Sequence, residues 1–200
     1  MKLIGMLDSP YVRRVAISLE LYGIDFVHES LSVFRTFDEF AQVNPVVKAP
    51  TLVLDDGTVL MDSNLILDYL EALAPAGKKL LPEQPTALAR DLHALGLALA
   101  ACEKSVQIVY EHNLRPAEKL HAPWLERISG QLLAAYSLLD KHLADTDSEA
   151  LTQASLTAAV AWSFSQLTVA SVVKADAFPH VRRHAERLEQ HPAFKQYPIE

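Results

Sequence analysis

The hydrophobic pattern of this chain switches once. From Lys2 to Leu73 short apolar runs alternate with short amphipathic stretches, whereas beyond Pro85 the apolar residues recur at helical spacing with no strand signal. Between the two, Pro75 to Pro85 holds three prolines, a glycine and two lysines, a composition that ends one region before another begins. Two hundred residues, half of them apolar, suffice for a core on each side of that break. The expected division is 1–77, a linker at 78–86, and 87–200.

The first region reads element by element. Lys2 to Leu7 is a strand; Pro10 to Tyr22 is a helix with Val12, Val15, Ala16 and Leu19 on one face and Gly23 as its stop. Ile24 to Leu31 alternates like a second strand, and Phe34 to Val43 forms a short helix closed by Asn44-Pro45. Thr51 to Leu54 and Thr58 to Met61 pair through an Asp-Gly hairpin, and Asp62-Ser63 opens a helix to about Leu73. The order is βαβαββα. The second region offers helices at about Thr86–Asn113, Pro123–Ala144, Leu151–Lys174 and Pro179–Gln190, so the fold class is α/β plus all-α.

Charge narrows the partners. The net charge is −7, and no run of Lys and Arg is interleaved with aromatics, which argues against nucleic acid. The single cysteine, Cys102, excludes an intrachain disulfide framework and reads as buried packing, and the N-terminal stretch lacks the long apolar run of a secretory signal. A cytoplasmic protein is expected. Leu151 to Val173 has no charged residue, but its many Ser, Thr and Gln side chains suit a helix buried in a bundle and not a membrane span. The eight histidines show no ligand spacing, so no metal is expected.

Three short motifs admit two readings each. Ser9-Pro10 matches an N-cap followed by proline at the first helical position, with Asp8 as an alternative cap; the same hydroxyl can also serve chemistry. Pro50 in Lys48-Ala49-Pro50 ordinarily ends a loop in trans, yet a cis bond would turn the Ala49 backbone outward, ready to pair with an extended ligand. Asp62-Ser63 is either an ordinary cap or a carboxylate site at a helix N-terminus.

Taken in order, these motifs and the helical second region resemble the soluble glutathione transferases over nearly the whole chain, and the SPYVRRV run is most similar to bacterial members with a catalytic serine. The resemblance implies a thioredoxin-like N-terminal domain followed by an all-helical C-terminal bundle, a homodimer, and conjugation of glutathione to small apolar electrophiles. It places Ser9 at the glutathione sulfur, Ala49 and a cis Pro50 at the cysteinyl backbone, Asp62 and Ser63 at the γ-glutamyl end, and Lys48 near the glycyl carboxylate. Val33 and Arg35 fall where the family walls the glycyl end; Met6, Leu7, Val106 and Tyr110 fall at the electrophile pocket or in the core. The rival reading is a non-catalytic glutathione- or partner-binding protein on the same fold.

Two places depart from the family. The buried C-terminal helix commonly begins with Ser or Thr and an Asp three residues on, whereas here the run is Thr152-Gln-Ala-Ser155. A missing cap carboxylate bears on folding at about 1 kcal/mol. Ala49 stands where valine is commoner, a mild change because only backbone is needed there.

Serine chemistry follows from the thiol. A free cysteine thiol, with a pKa near 8.5, is about 3% thiolate at pH 7, and each unit of lowering needs about 1.4 kcal/mol. Ser9 is no base, but its O–H can donate to a thiolate, a charge-assisted bond of about 1.5–3 kcal/mol, and the helix N-terminus adds about 0.3–1 kcal/mol.

Overall fold

The computed structural model describes residues 1–145 and 150–199. Contacts divide them into two compact units, Met1–Leu81 together with the C-terminal stretch from His191, and Pro82–Gln190.

In the first unit the elements are β1 (Lys2–Ile4), α1 (Pro10–Tyr22), β2 (Val27–Glu29), α2 (Phe37–Val43), β3 (Thr51–Val53), β4 (Val59–Met61) and α3 (Ser63–Leu73). The sheet order is β2-β1-β3-β4, with β1 parallel to β2 and antiparallel to β3, and β3 antiparallel to β4. The strands are three residues long, and β1 stops short of Leu7 where Gly5 at φ 136° turns the chain toward α1. Leu3, Ile4 and Leu52 are fully buried at the sheet centre. Helix α1 packs on β1 and α3 through Val12, Val15, Ala16 and Leu19, and ends as expected at Gly23, whose φ of 71° is left-handed. After α3, the Glu71 carboxylate accepts from Tyr22 Oη at 2.6 Å and from the Leu80 and Leu81 backbone at 3.1 and 3.2 Å, tying down the linker.

The C-terminal stretch corrects the division expected at 87–200. Helix α8 (Pro192–Gln196) packs on α1, and Arg13, fully buried, donates from Nε to the Tyr197 carbonyl at 2.8 Å while lying 5.5 Å over the Phe194 ring. A guanidinium buried in α1 needs acceptors that its own helix cannot supply, and the tail provides them.

The second unit is helical among the described residues: α4 (Pro85–Leu114), α5 (Ala122–Ala144), α6 (Gln153–Thr168) and α7 (Pro179–Leu188), with single 3₁₀ turns at Ala117–Lys119 and Ala175–Ala177. Helix α6 ends at Thr168 and not at Lys174; β-branched Thr168, Val169, Val172 and Val173 disfavour its continuation, and the Val172 and Val173 amides turn back to the Val169 carbonyl. Ser165 of α6 is bonded across the bundle, whereas the buried Thr157 hydroxyl of the same helix has no hydrogen-bond partner among the described residues. Ser105 of α4, Tyr136 of α5 and Ser165 of α6 form a buried chain at 2.8 and 2.6 Å that ends on the Ala161 carbonyl at 2.9 Å. Burial in this chain raises the Tyr136 pKa. Among the described residues α4 is the one helix long and apolar enough to cross a membrane, and it packs against α5 and α6 through Ala94, Ala98, Ala101, Cys102, Ser105 and Ile108.

The cap of α6 is complete after all. Thr152 Oγ1 accepts from the Ser155 amide at 3.2 Å and Ser155 Oγ accepts from the Thr152 amide at 2.9 Å, so serine closes the box that aspartate was expected to close. A carboxylate is present too, from another helix: Asp91 of α4 accepts from Thr152 Oγ1 at 2.5 Å.

Candidate active site

Ser9 is the N-cap of α1, in extended backbone at φ −70° and ψ 121°, and Asp8 is not. Its Oγ accepts from the Val12 amide at 3.5 Å, the outer limit of a hydrogen bond, while its own amide donates to the Met6 carbonyl at 3.2 Å. A capping hydroxyl uses a lone pair and keeps its proton, so capping and donation to a ligand are compatible. The start of α1 adds the positive end of the helix dipole.

Close approach brings the proline loop to this helix start. A Cβ on Gly5 would lie 2.6 Å from a Val12 methyl and 3.2 Å from Ala49 Cβ, so only glycine lets β1, α1 and Ala49 meet. The Ala49-Pro50 bond is cis, the alternative that the resemblance implied and the tripeptide alone did not favour. Asn44, nearly fully buried, holds the loop: its Nδ2 donates to Thr51 Oγ1 at 2.8 Å, its Oδ1 accepts from the Val46 amide at 3.0 Å, and Thr51 Oγ1 donates to the Lys48 carbonyl at 2.7 Å.

From that loop, side-chain contacts run to α3 and back to α1. Lys48 Nζ lies 3.8 Å from Asp62 Oδ2, an exposed pair. Asp62 caps α3 by accepting from the Asn64 amide at 2.9 Å, and its backbone sits at φ 69°, a left-handed conformation that costs a residue other than glycine about 1–3 kcal/mol. Ser63 is buried, and Arg14 Nη1 donates to Ser63 Oγ at 3.2 Å and to Asn64 Oδ1 at 2.8 Å. Sequence reasoning missed Gly5 and Arg14; a glycine just after a strand was the available signal for the first.

The other candidates are placed less centrally. Val33 is half-buried in a turn organised by Ser32 Oγ, which accepts from the Phe34 and Arg35 amides at 3.2 and 3.1 Å. Arg35 reaches Met6, its Nη2 lying 3.2 Å from Sδ. Met6 is half-buried, whereas Leu7, 4% exposed, belongs to the core of the first unit. Val106 and Tyr110 lie one turn apart on α4 in the second unit, the former half-buried and the latter 43% exposed. No cluster of His, Cys, Asp and Glu able to hold a metal occurs among the described residues.

Residues 3–79 match the family model of the glutathione S-transferase N-terminal domain. A maleylacetoacetate isomerase of Pseudomonas aeruginosa is 30% identical to this chain, the match covering 98% of it and 94% of the relative. The chain belongs to the glutathione S-transferase family. A glutathione S-transferase from Methylobacterium radiotolerans, solved in complex with glutathione sulfonate, superposes with a TM-score of 0.90 at 25% identity over 98% of this chain and 93% of the other. A family member from Pseudomonas fluorescens with bound glutathione gives 0.85 at 26% identity over 100% and 98%. This family member therefore has the thioredoxin-like N-terminal domain and helical C-terminal region expected from its sequence, and it is a glutathione S-transferase-like enzyme.

Proposed function

We propose that this enzyme binds glutathione along Ser9, Lys48, Ala49, Pro50, Asp62 and Ser63, with Val33 beside the glycyl end, and transfers its thiolate to a small apolar electrophile. The observation that carries the reading is the position of Ser9 at the start of α1, where its oxygen accepts from the Val12 amide and its hydroxyl proton stays available at the positive end of the helix dipole. The Ser9 O–H donates to the thiolate and lowers the thiol pKa. The sulfur then attacks the electrophilic carbon, the S–C bond forms, and the leaving group departs with its electron pair. Ala49 offers backbone N–H and C=O beside a cis proline, and the α3 N-terminus receives the γ-glutamyl carboxylate. Within the first unit Met6, half-buried, is assigned to the electrophile, while Leu7 lies in the core. Isothermal titration with glutathione, followed by turnover of a reactive aryl halide, tests the assignment. Binding without turnover across several electrophiles would favour the non-catalytic alternative.

A second reading has its own observation. The 30% identical relative is an isomerase, and a thiolate that adds reversibly to an activated double bond isomerises it without consuming glutathione. Arg35 beside Met6 provides a cation for a carboxylate-bearing substrate. Isomerisation of a cis-enedioate analogue without net loss of glutathione distinguishes this from conjugation. The homodimer is also proposed, supported by exposed apolar Val46, Met61 and Leu65 at β4, α3 and the loop before β3; a monomer by light scattering at micromolar concentration would contradict it. A cytoplasmic location is consistent with a lone, buried cysteine.

A further inference from the structure

Arg14 lies on the second turn of α1 and is 1% exposed, a costly place for a guanidinium unless it does something there. Its Nη1 donates to two side chains of the α3 entry, Ser63 Oγ at 3.2 Å and Asn64 Oδ1 at 2.8 Å. The first bond has a directional consequence. A serine oxygen that accepts from a cation uses a lone pair inward, and its own proton is left to point elsewhere. The second bond adds a mechanical one. Asn64 is also the residue whose amide is held by Asp62 Oδ1 at 2.9 Å, and Asp62 is the residue held at φ 69°. Arg14 thus grips the turn Asp62-Ser63-Asn64 from beneath through its last two side chains.

We infer that Arg14 is a positioning residue for the γ-glutamyl end of the ligand: from inside α1 it orients the Ser63 hydroxyl as a donor and fixes the strained Asp62 turn, without touching the ligand itself. The inference rests on the assignment of glutathione to Asp62 and Ser63. It makes the effect of Arg14 specific to one end of the peptide. A donor hydroxyl and an ordered helix N-terminus serve the γ-glutamyl carboxylate and nothing else on glutathione.

The test uses the full chain and two ligands, glutathione and 4-aminobutanoyl-cysteinylglycine, which lacks only that carboxylate. Wild-type protein should bind glutathione at least tenfold more tightly than the truncated peptide. Arg14→Met should lose about tenfold in glutathione affinity while its affinity for the truncated peptide stays within twofold, so that discrimination collapses. Arg14→Lys, a milder change that keeps the charge but reaches one acceptor, should show intermediate discrimination, and it carries the test if the methionine variant does not fold by circular dichroism. Wild-type discrimination retained in the folded variants, or equal losses for both ligands, overturns the role of Arg14 alone. Wild-type protein that does not bind glutathione, or binds the two ligands equally, overturns the glutathione assignment and this inference with it.

Discussion

Replacing Asp91 tests how the α6 cap works. The Asp91 carboxylate accepts from Thr152 Oγ1 at 2.5 Å and faces the first amides of α6, with Ala154 among its donors. A charge-assisted bond contributes about 1.5–3 kcal/mol and an anion at a helix N-terminus about 0.3–1 kcal/mol. Burial acts against both. It raises the Asp91 pKa, and the bonds from Thr152 and Ala154 and the charge of His142 only partly oppose it. Removing the carboxylate therefore recovers some desolvation cost, and Asp91→Ala should lose about 1–2 kcal/mol, or about 2–8 °C in Tm for a chain of this size. Asp91→Asn keeps a neutral oxygen for the Thr152 hydroxyl and should lose less than about 1 kcal/mol. The pH dependence has a definite sign. A folded-state pKa raised above 3.8 means that the native protein holds this proton more tightly than the unfolded chain, so the advantage of wild type over Asp91→Asn should shrink as pH rises through that window. Urea and thermal unfolding followed by circular dichroism measure each quantity. An Asn variant as unstable as the Ala variant would show that charge and not acceptance holds the cap, and an Ala variant as stable as wild type would show that Asp91 holds nothing.

Two further outcomes are expected. His184 and His142 line a cavity of about 550 Å³ in the second unit, and burial lowers the pKa of each, aided at His142 by His93 and at His184 by Arg187. The unfolded chain binds these protons more readily, so stability should be full above pH 6.5 and fall as pH drops through it toward the lowered values; urea midpoints at pH 7.5 and 5.5 should show this, with a shallower change in His184→Gln and no change at all counting against it. Asp62→Gly removes both a carboxylate and the strain of φ 69°, so it should unfold at a urea midpoint no lower than wild type while binding glutathione more weakly by titration; unchanged affinity would place the γ-glutamyl end elsewhere.

The parts of the fold that local chemistry dictates were legible. Ser9-Pro10 and Gly23 bound α1 as capping rules require, and the Asp-Gly turn joins β3 to β4. What the sequence hid depends on distance along the chain. The carboxylate at the α6 cap comes from Asp91, 61 residues before Thr152, and the acceptor of Arg13 comes from Tyr197, 184 residues after it. No local pattern encodes either. Arg14 was equally opaque: as one of two adjacent arginines on a helix it reads as a solvated face, and only the packing of α1 on α3 shows that it lies beneath Ser63. The cis bond before Pro50 was visible through the order of motifs and not through the tripeptide.

If the Ser9 hydroxyl stabilises a glutathione thiolate, the ultraviolet absorbance of the bound thiolate reports it. At pH 7 the wild-type complex should show thiolate absorbance, and Ser9→Ala should lose most of it while retaining most of its glutathione affinity. The loss of a bond of about 1.5–3 kcal/mol corresponds to a rise of about one to two units in the pKa of the bound thiol, with a matching fall in rate. Loss of the cap alone would lower stability by about 0.5–2 kcal/mol and leave the thiol titration unchanged. A Ser9→Ala complex with wild-type thiolate absorbance and wild-type rate would contradict the claim and assign thiolate stabilisation to the backbone amides at the start of α1.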